Sequence, residues 1–422
     1  MIFVYLDWNV IAQMKNGHHQ ELLKQLKQPN RIKHLFSTSH INDIFSSYSK
    51  SPEQLKIINE DLEFITFMTE NFCLFNTGKN IEMDIVDPKE LFADKVAEKD
   101  LYNDLSIDNL FEVLEGDDLT TKKSEFLIKL IKSIPLDENF INALNHSESA
   151  DFYDKIFPGL KNDPTIGGFF ESFGKTMTNM NETEIYKDWR KILQSTLNIN
   201  RDKLFNDHNP FDSIDKAYNE FKAGKPTINE ELGKNNPKWF NEIINNYLTL
   251  DMHGYQEDKI NTKKGRKETY RNTTEDTFHA AFASTCNFYI INDDRAYKKT
   301  KKVYEKLKLN TLVFQPQEFI DYYNTYLFPR PAEFDIEIPN KYLSFDNYSE
   351  EKKESRILRT YFIHHFPFDF FNAMNLEATE NGKAHKLVLG QLSPTNKGGT
   401  YYFEVEKLSQ RLYSALGNDV DN

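Results

Sequence analysis

The sequence has little cysteine and no long hydrophobic run, and both shortages limit what the protein can be. Its 422 residues include only two cysteines, Cys73 and Cys286, which lie far apart and outside any Cys-x-x-Cys spacing. A disulfide framework and a zinc–cysteine site are both disfavoured, and a reducing compartment is expected. No segment approaches the roughly 18 consecutive apolar residues that a membrane-spanning helix needs. We therefore expect a cytoplasmic protein with no membrane partner.

A targeting signal is also missing from the sequence pattern. The first ten residues, MIFVYLDWNV, lack a basic start, and Asp7 interrupts their apolar run, so a secretory signal is not expected. Hydrophobic residues make up 39% of the chain, with 34 Phe and 21 Tyr. That content can fill a large core, which disfavours wholesale disorder.

An overall excess of positive charge is absent, because the net charge is −13. This value by itself disfavours a polyanionic partner. The charge is uneven, however. Residues 259–308 contain thirteen Lys or Arg and six Asp or Glu, a net of +7, and the remainder carries −20. Solvated helix faces are the usual explanation, but this basic segment brackets several of the acidic residues described below.

The pattern of apolar residues predicts an α/β fold class with four regions. Residues 1–76 and 245–328 alternate strand and helix, which is typical of a parallel sheet with helices on both faces. Residues 77–244 are predicted to be a mostly helical insertion, which is a candidate surface for a protein partner or a homo-oligomer. Residues 329–422 are predicted to form a small α+β region. There, KLVLG and TYYFEVE read as strands, and the intervening glycine pair suggests a hairpin.

Acidic residues recur at corresponding places in the predicted core. They are Asp7 after the first strand, Asp43 in the helix after the second, Asp276 in the helix before the apolar strand FYII, and Asp293 with Asp294 after that strand. Groups at the carboxyl ends of parallel strands line one crevice, although Asp7 and Asp276 are 269 positions apart. Carboxylates gathered there need a cation, and Mg²⁺ or Mn²⁺ suits oxygen ligands best.

Each acidic residue also has an ordinary structural explanation. An Asp at a strand end often forms a turn or caps a helix, and Asp276 could simply favour a helix N-terminus. The occurrence of four acids in the appropriate order is what points to a metal site. A bound divalent ion can activate a water and neutralise charge that develops on a phosphodiester.

Four segments together resemble the motifs of the PIN-domain nucleases. VYLDWNVI resembles the first motif, a strand ending in Asp followed by x-Asn, and FSTSHINDI is similar to the second, an acid in a helix after a short Ser-containing strand. TTEDTFHAAFAS resembles the third, Asp followed by a His-Ala-Ala helix, and FYIINDDRAY the fourth, an apolar strand running into Thr-Asn-Asp. The resemblance covers residues 1–75 and 245–325. It implies a PIN-like fold and a metal-dependent endonuclease that usually acts on RNA.

The sequence departs from the pattern of that family in several places. Asp43 stands where many members have Glu, and Ile291 stands where Thr is common. Asp294 is an additional acid that could substitute for Asp293 or crowd it. The insertion is also much longer than in compact members, but none of these departures removes a metal ligand.

The resemblance implies roles for individual residues. Asp7, Asp43, Asp276 and Asp293 would be the catalytic residues that hold the metal or its water, with Asp294 as a further candidate metal ligand. Asn9 would orient Asp7 or contact a phosphate, although a local side-chain hydrogen bond explains it as well. Basic residues that flank the motifs are the other nucleic-acid-binding candidates: Arg266, Lys267, Arg271, Arg295, Lys298 and Lys299. Their attraction to phosphates would be independent of sequence, and the expected partner is single-stranded or structured RNA.

Two other functions stay open on the sequence. A haloacid-dehalogenase-like phosphatase would use Asp7 as its nucleophile and a late Asp pair to hold Mg²⁺, but here Asn9 replaces its second acid and Asp276 would have no role. A catalytically inactive PIN-like scaffold or binding protein would use the helical insertion as its interaction surface. Such a scaffold has no need to store the repulsion of four carboxylates.

Two histidines are weighed as general bases and not assigned to catalysis. His279 follows Asp276 by three residues and shares its helix face. A packed or hydrogen-bonded role is the prediction for both His40 and His279. Ser37 and Cys286 lack the paired histidine that a nucleophile would need.

Overall fold

The computed structural model describes residues 2–27, 32–102, 135–137, 141–142, 154, 157–165, 168–169, 172, 185–221, 236–258, 270–331, 333–344, 348–353, 356–379, 384–392 and 401–417. The chain divides into two compact units. The first comprises Met1–Leu91, Pro226–Tyr247 and Asp276–Asn422, and the second comprises Phe92–Lys225 and Leu248–Glu275. The predicted insertion, 77–244, therefore overlaps the second unit without coinciding with it.

A six-stranded, mostly parallel sheet forms the centre of the first unit. Its strands are β1 (Ile2–Leu6), β2 (Ile32–Ser37), β3 (Phe72–Asn76), β4 (Ile81–Ile85), β5 (Phe288–Ile290) and β6 (Leu312–Phe314). Their order is β4-β3-β2-β1-β5-β6. Only the β3–β4 pair is antiparallel. The α/β class and the parallel core predicted from the sequence are thereby confirmed.

The strand order reverses at β1, which pairs with β2 on one side and with β5 on the other. The chain first runs outward through β2, β3 and β4, and it returns much later to build the opposite half of the sheet. The Asp7 amide donates a hydrogen bond of 2.9 Å to the Ile290 carbonyl oxygen, which fastens the ends of β1 and β5 together. In open α/β sheets, ligands bind at such a reversal, beyond the carboxyl ends of the strands.

Burial explains why the two central strands are almost wholly apolar. All five residues of β1 and all three of β5 are buried. A strand covered on both faces loses the alternation of polar and apolar residues and becomes a continuous hydrophobic run. The Phe288 ring, for example, packs 5.5 Å from the Phe319 ring and 5.9 Å from the Phe314 ring, measured between ring centroids.

Helices occur in both units within the described ranges. In chain order they are α1 (Trp8–Lys15), α2 (Gln20–Leu26), α3 (Thr38–Ser46), α4 (Pro52–Thr69), α5 (Pro88–Tyr102), α6 (Ile185–Thr196), α7 (Arg201–Phe205), α8 (Pro210–Phe221), α9 (Lys238–His253), α10 (Tyr270–Ala283), α11 (Asp294–Leu307), α12 (Pro316–Tyr322), α13 (Phe334–Tyr342) and α14 (Tyr401–Leu416). A π-helix at Tyr323–Leu327 and a 3₁₀-helix at Pro367–Asp369 complete the set. None of these helices is long and apolar enough to cross a membrane.

The second unit has a buried charge network at its centre. The Asp251 carboxylate accepts a hydrogen bond of 2.8 Å from the Tyr186 hydroxyl and pairs with Arg190 at 3.3 Å. Its other oxygen accepts a hydrogen bond from the Asp258 amide. These contacts hold α6, the end of α9 and the segment that follows α9 together. Burying a charge is tolerable when it is paired and hydrogen-bonded in this way.

A second, antiparallel sheet follows the first in the chain. Its strands are β7 (Tyr348–Lys353), β8 (Arg356–Phe362), β9 (Ala373–Thr379) and β10 (Ala384–Gly390), in the order β10-β9-β8-β7. The predicted hairpin after β10 is wrong, because the YYFEVE run forms the first turns of α14. Tertiary contacts override its strand-like composition, since the Arg411 guanidinium of α14 pairs with the buried Asp335. The predicted turn glycines lie outside the described residues.

Candidate functional site

Asp7 lies at the junction between β1 and α1, at the reversal of the strand order. It is the N-cap of α1, and its Oδ2 accepts a hydrogen bond of 3.3 Å from the Asn9 amide. The residue is only 5% exposed. The end of a buried strand and the beginning of a helix thus fix this carboxyl at the crevice predicted from the sequence.

The surroundings of Asp7 penalise its negative charge. The pKa of Asp7 is raised from 3.8 to about 6, mainly by burial and in smaller part by the charges of Asp43 and Asp293. His279 and the Asn9 amide act in the opposite direction. Two more of the predicted carboxylates are therefore close enough to act on Asp7, although one of them lies 286 positions away.

Asp43 reaches the site from α3. This helix begins with a capping box in which Ser37 and His40 bond to each other's backbone amides. The partly exposed Asp43 side chain follows one turn later, and its Oδ2 accepts a hydrogen bond of 2.7 Å from Nε2 of His279. The other carboxylate oxygen makes no hydrogen bond within the described part of the chain, so it can receive a ligand.

The adjacent acids Asp293 and Asp294 have different roles in the structure. Asp293 is the N-cap of α11, and its Oδ1 accepts hydrogen bonds from the amides of Arg295 and Ala296. Asp294 pairs with Lys298 of the next helical turn at 2.7 Å. Asp293 is therefore the better candidate ligand. Its charge acts on Asp7, and the helix cap uses only its Oδ1.

Asp276 lies on α10, one turn before His279, and is partly buried. Burial raises the pKa of the Tyr289 phenol, and the charges of Asp7 and Asp276 both add to this effect. Since Tyr289 is in β5, Asp276 also approaches the centre of the sheet. We call Asp7, Asp43, Asp276 and Asp293 together the acidic crevice.

Lys299, one of the basic residues after β5, is not accessible for binding a phosphate. Lys299 is 0% exposed, and its Nζ lies 4.9 Å from the centroid of the Tyr247 ring. This placement contradicts the prediction that Lys299 binds phosphates. The apolar stripe of α11, which includes Ala296 and Val303, could have revealed the burial, because Lys299 falls on the same helix face.

The other predicted nucleic-acid contacts have mixed outcomes. The Lys298 ammonium forms an ion pair with Asp294, and Arg295 is partly buried. The Asn9 side chain is exposed, while its backbone amide supports Asp7. Arg271 lies within α10. Arg266 and Lys267 lie outside the described residues.

Tyr5 is the residue of the site that the motifs did not indicate. Its buried hydroxyl lies 2.6 Å from Ser37 Oγ and 2.8 Å from His279 Nδ1. The one available signal was its spacing, since Tyr5 precedes Asp7 by two positions and such residues share a strand face. The prediction that His40 and His279 are packed and hydrogen-bonded is confirmed.

The chemistry of the acidic crevice fits a hard divalent cation. Its donors are carboxylate oxygens, the ligands that Mg²⁺ and Mn²⁺ prefer. The pKa of Asp7 is raised mainly by burial and in smaller part by the charges of Asp43 and Asp293, and a bound cation would offset both effects. Among the described residues, no group of three or more His, Cys, Asp or Glu side chains stands in a metal-holding arrangement.

Comparisons with protein-family models, with curated proteins and with solved structures gave no match to this chain. The function of the acidic crevice must therefore be inferred from its residues and from its place in the sheet.

Proposed function

We propose that the chain is a divalent-metal-dependent endonuclease with a PIN-like core, and that its substrate is RNA. The observation that carries this proposal is electrostatic. A buried carboxyl, Asp7, lies where the strand order reverses. Burial raises its pKa, and the charges of Asp43 and Asp293 add to that rise. Carboxylates converging at a ligand-binding position of an α/β sheet are the donor set that a phosphodiester-cleaving metal site needs.

The residues of the acidic crevice have distinct tasks in this proposal. Asp7, Asp43 and Asp293 would hold the metal, and Asp276 would add a further carboxylate beside them. A bound divalent ion supplies an activated water and offsets charge that develops on the phosphodiester. The Asn9 amide and the start of α11 restrain the carboxyls of Asp7 and Asp293.

The choice of RNA rests on the four motifs that resemble PIN-domain nucleases. A basic segment that flanks two of these motifs adds to it, because Lys and Arg attract phosphates irrespective of base sequence. Residues 259–308 carry a net charge of +7 although the whole chain carries −13. Lys299 takes no part in this attraction, since its ammonium is buried.

The test is cleavage of labelled substrates by the full-length purified chain. Single-stranded RNA, duplex DNA and a small phosphomonoester are each incubated with Mn²⁺ or with EDTA. Internal cleavage of RNA that EDTA abolishes is the expected result. Asp7→Asn and Asp293→Asn should each lower the rate by about 10³-fold, because the metal contributes several kcal/mol to the transition state.

Asp87→Asn is the matched control for these variants. Asp87 also bonds an amide in the first turn of its helix, with Lys89 as donor, but it is outside the acidic crevice. The Asp87→Asn variant should cleave RNA at the rate of the unmodified protein. Release of phosphate from the monoester alone would favour the phosphatase, and no cleavage of any substrate would favour the inactive scaffold.

A further inference from the structure

We propose that Tyr5 and His279 are positioning residues that hold Asp43 in the acidic crevice through one buried chain of hydrogen bonds. This inference rests on the proposed function for its consequence, metal affinity. The contacts run from Ser37 Oγ to the Tyr5 hydroxyl at 2.6 Å, from that hydroxyl to His279 Nδ1 at 2.8 Å, and from His279 Nε2 to Asp43 Oδ2 at 2.7 Å. We call these four side chains the Tyr5 hydrogen-bond chain.

The contact with Asp43 survives a change in the protonation of His279. A carboxylate can only accept a hydrogen bond, so Nε2 of His279 must carry the proton that it donates to Asp43. The opposite nitrogen, Nδ1, accepts from the Tyr5 hydroxyl in the neutral ring and donates to it in the charged ring. The same atoms stay bonded in both states, because a phenol can donate and accept.

The second histidine beside Tyr5 is occupied elsewhere. Nε2 of His40 donates to the Leu6 carbonyl oxygen at 2.8 Å, and its Nδ1 accepts from the Ser37 amide at 3.0 Å. The Tyr5 hydroxyl is 3.3 Å from that same Nδ1, against 2.8 Å from His279. The shorter contact is therefore the one toward Asp43.

Tyr5 joins three elements that carry or directly precede an acid of the crevice. It lies on β1, two residues before Asp7, and Ser37 caps α3, the helix of Asp43. His279 lies on α10, one turn after Asp276. A single hydroxyl thus fixes the relative position of carboxyls from distant parts of the sequence. Residues that orient metal ligands in this way typically change metal affinity by roughly 10–100-fold when they are mutated.

The first experiment measures Mn²⁺ binding to the full-length chain by calorimetry, without nucleic acid. Tyr5→Phe removes only the hydroxyl, and His279→Gln removes the ring that carries the contact to Asp43. Each should weaken Mn²⁺ binding by about 10–100-fold. The matched control is Tyr304→Phe, because the buried Tyr304 hydroxyl also bonds to α10, at the Ala280 carbonyl oxygen. It should keep the Mn²⁺ affinity of the unmodified chain within about twofold.

Mn²⁺ affinity in Tyr5→Phe equal to that in Tyr304→Phe would overturn the inference. A second measurement decides the matter without metal, in EDTA. The shift in Tm of the double variant Tyr5→Phe/Asp43→Ala should differ from the sum of the single shifts by about 1 °C or more, because the two residues share one hydrogen-bond chain. Tyr304→Phe should combine additively with Asp43→Ala.

The two measurements separate the failure of the inference from the failure of the proposed function. If the unmodified chain binds no Mn²⁺, the proposed metal-dependent function fails, while non-additive Tm shifts still support the positioning of Asp43. If Mn²⁺ binds but Tyr5→Phe combines additively with Asp43→Ala, the hydrogen-bond chain does not position Asp43, and the inference is wrong.

Discussion

Two buried carboxyls in the first unit, Asp7 and Asp335, differ in whether cationic side chains pair with them. Asp335 is 0% exposed and pairs with Arg330 at 2.9 Å and with Arg411 at 3.0 Å, and the Phe368 amide donates to it as well. Asp7 is nearly as buried, but the hydrogen bond that supports it is a long one from the Asn9 amide. Within the described residues, no Lys or Arg forms an ion pair with Asp7.

This difference shows that the fold can neutralise a buried carboxylate, so the missing cationic partner at Asp7 is a specific feature of that position. A buried carboxylate needs cationic partners and hydrogen bonds to be tolerable, and this chain supplies them at Asp335. At Asp7 burial raises the pKa of the carboxyl, His279 partly opposes this effect, and the charges of Asp43 and Asp293 add to it. Repulsion retained at one position and neutralised at another is typical of a functional site.

The largest expected effect comes from removing the charge of Asp335, the carboxylate that two arginines neutralise. Asp335→Asn should lower the free energy of unfolding by about 3–5 kcal/mol, because it leaves two arginines beside a neutral side chain. Urea denaturation of the full-length chain at pH 8 measures this loss. A change below about 1 kcal/mol would mean that the arginines do not compensate a buried charge.

The same substitution at the uncompensated carboxyl should have the opposite sign. The native state holds a proton on Asp7 up to about pH 6, whereas the unfolded chain releases it near pH 3.8. Stability therefore falls as the pH rises from about 4 to 6, by roughly 3 kcal/mol at most. Asp7→Asn removes this loss, so in EDTA it should stabilise the protein at pH 8 and hardly at all at pH 4. An equal gain at both pH values would contradict the raised pKa.

The smallest expected effect distinguishes the adjacent acids after β5. Asp294 pairs with Lys298 on an exposed part of α11, and exposed pairs of this kind contribute about 0.3–0.5 kcal/mol. Asp294→Asn should therefore change RNA cleavage by no more than about threefold, whereas Asp293→Asn should nearly abolish it. Similar losses for the two variants would show that both carboxylates serve the site.

Much of the core could be predicted because its signals are local. The run IFVYL is buried on both faces, and it forms β1 as its composition indicates. Gly17, which has a φ of 88°, separates α1 from α2, and a left-handed conformation of this kind favours glycine. Asp7 follows β1 directly and Asp293 lies three residues after the end of β5, so locating those strands also located both acids.

Other features depended on contacts that no local pattern contains. The run YYFEVE has a strand-like composition, yet it begins a helix whose Arg411 pairs with Asp335. Lys299 looks like a surface lysine in a basic segment, yet it lies under the protein surface against Tyr247. In both cases the partner is more than 50 positions away in the sequence.

The sequence by itself determined which residue types stand at the strand ends and which runs become strands and helices, because these depend on neighbours within a few positions. The tertiary structure alone decided the order of the strands and the link from Tyr5 through His279 to Asp43. The last contact joins residues 236 positions apart. Electrostatic and hydrogen-bond energies depend on distance in space, and only the folded chain sets that distance.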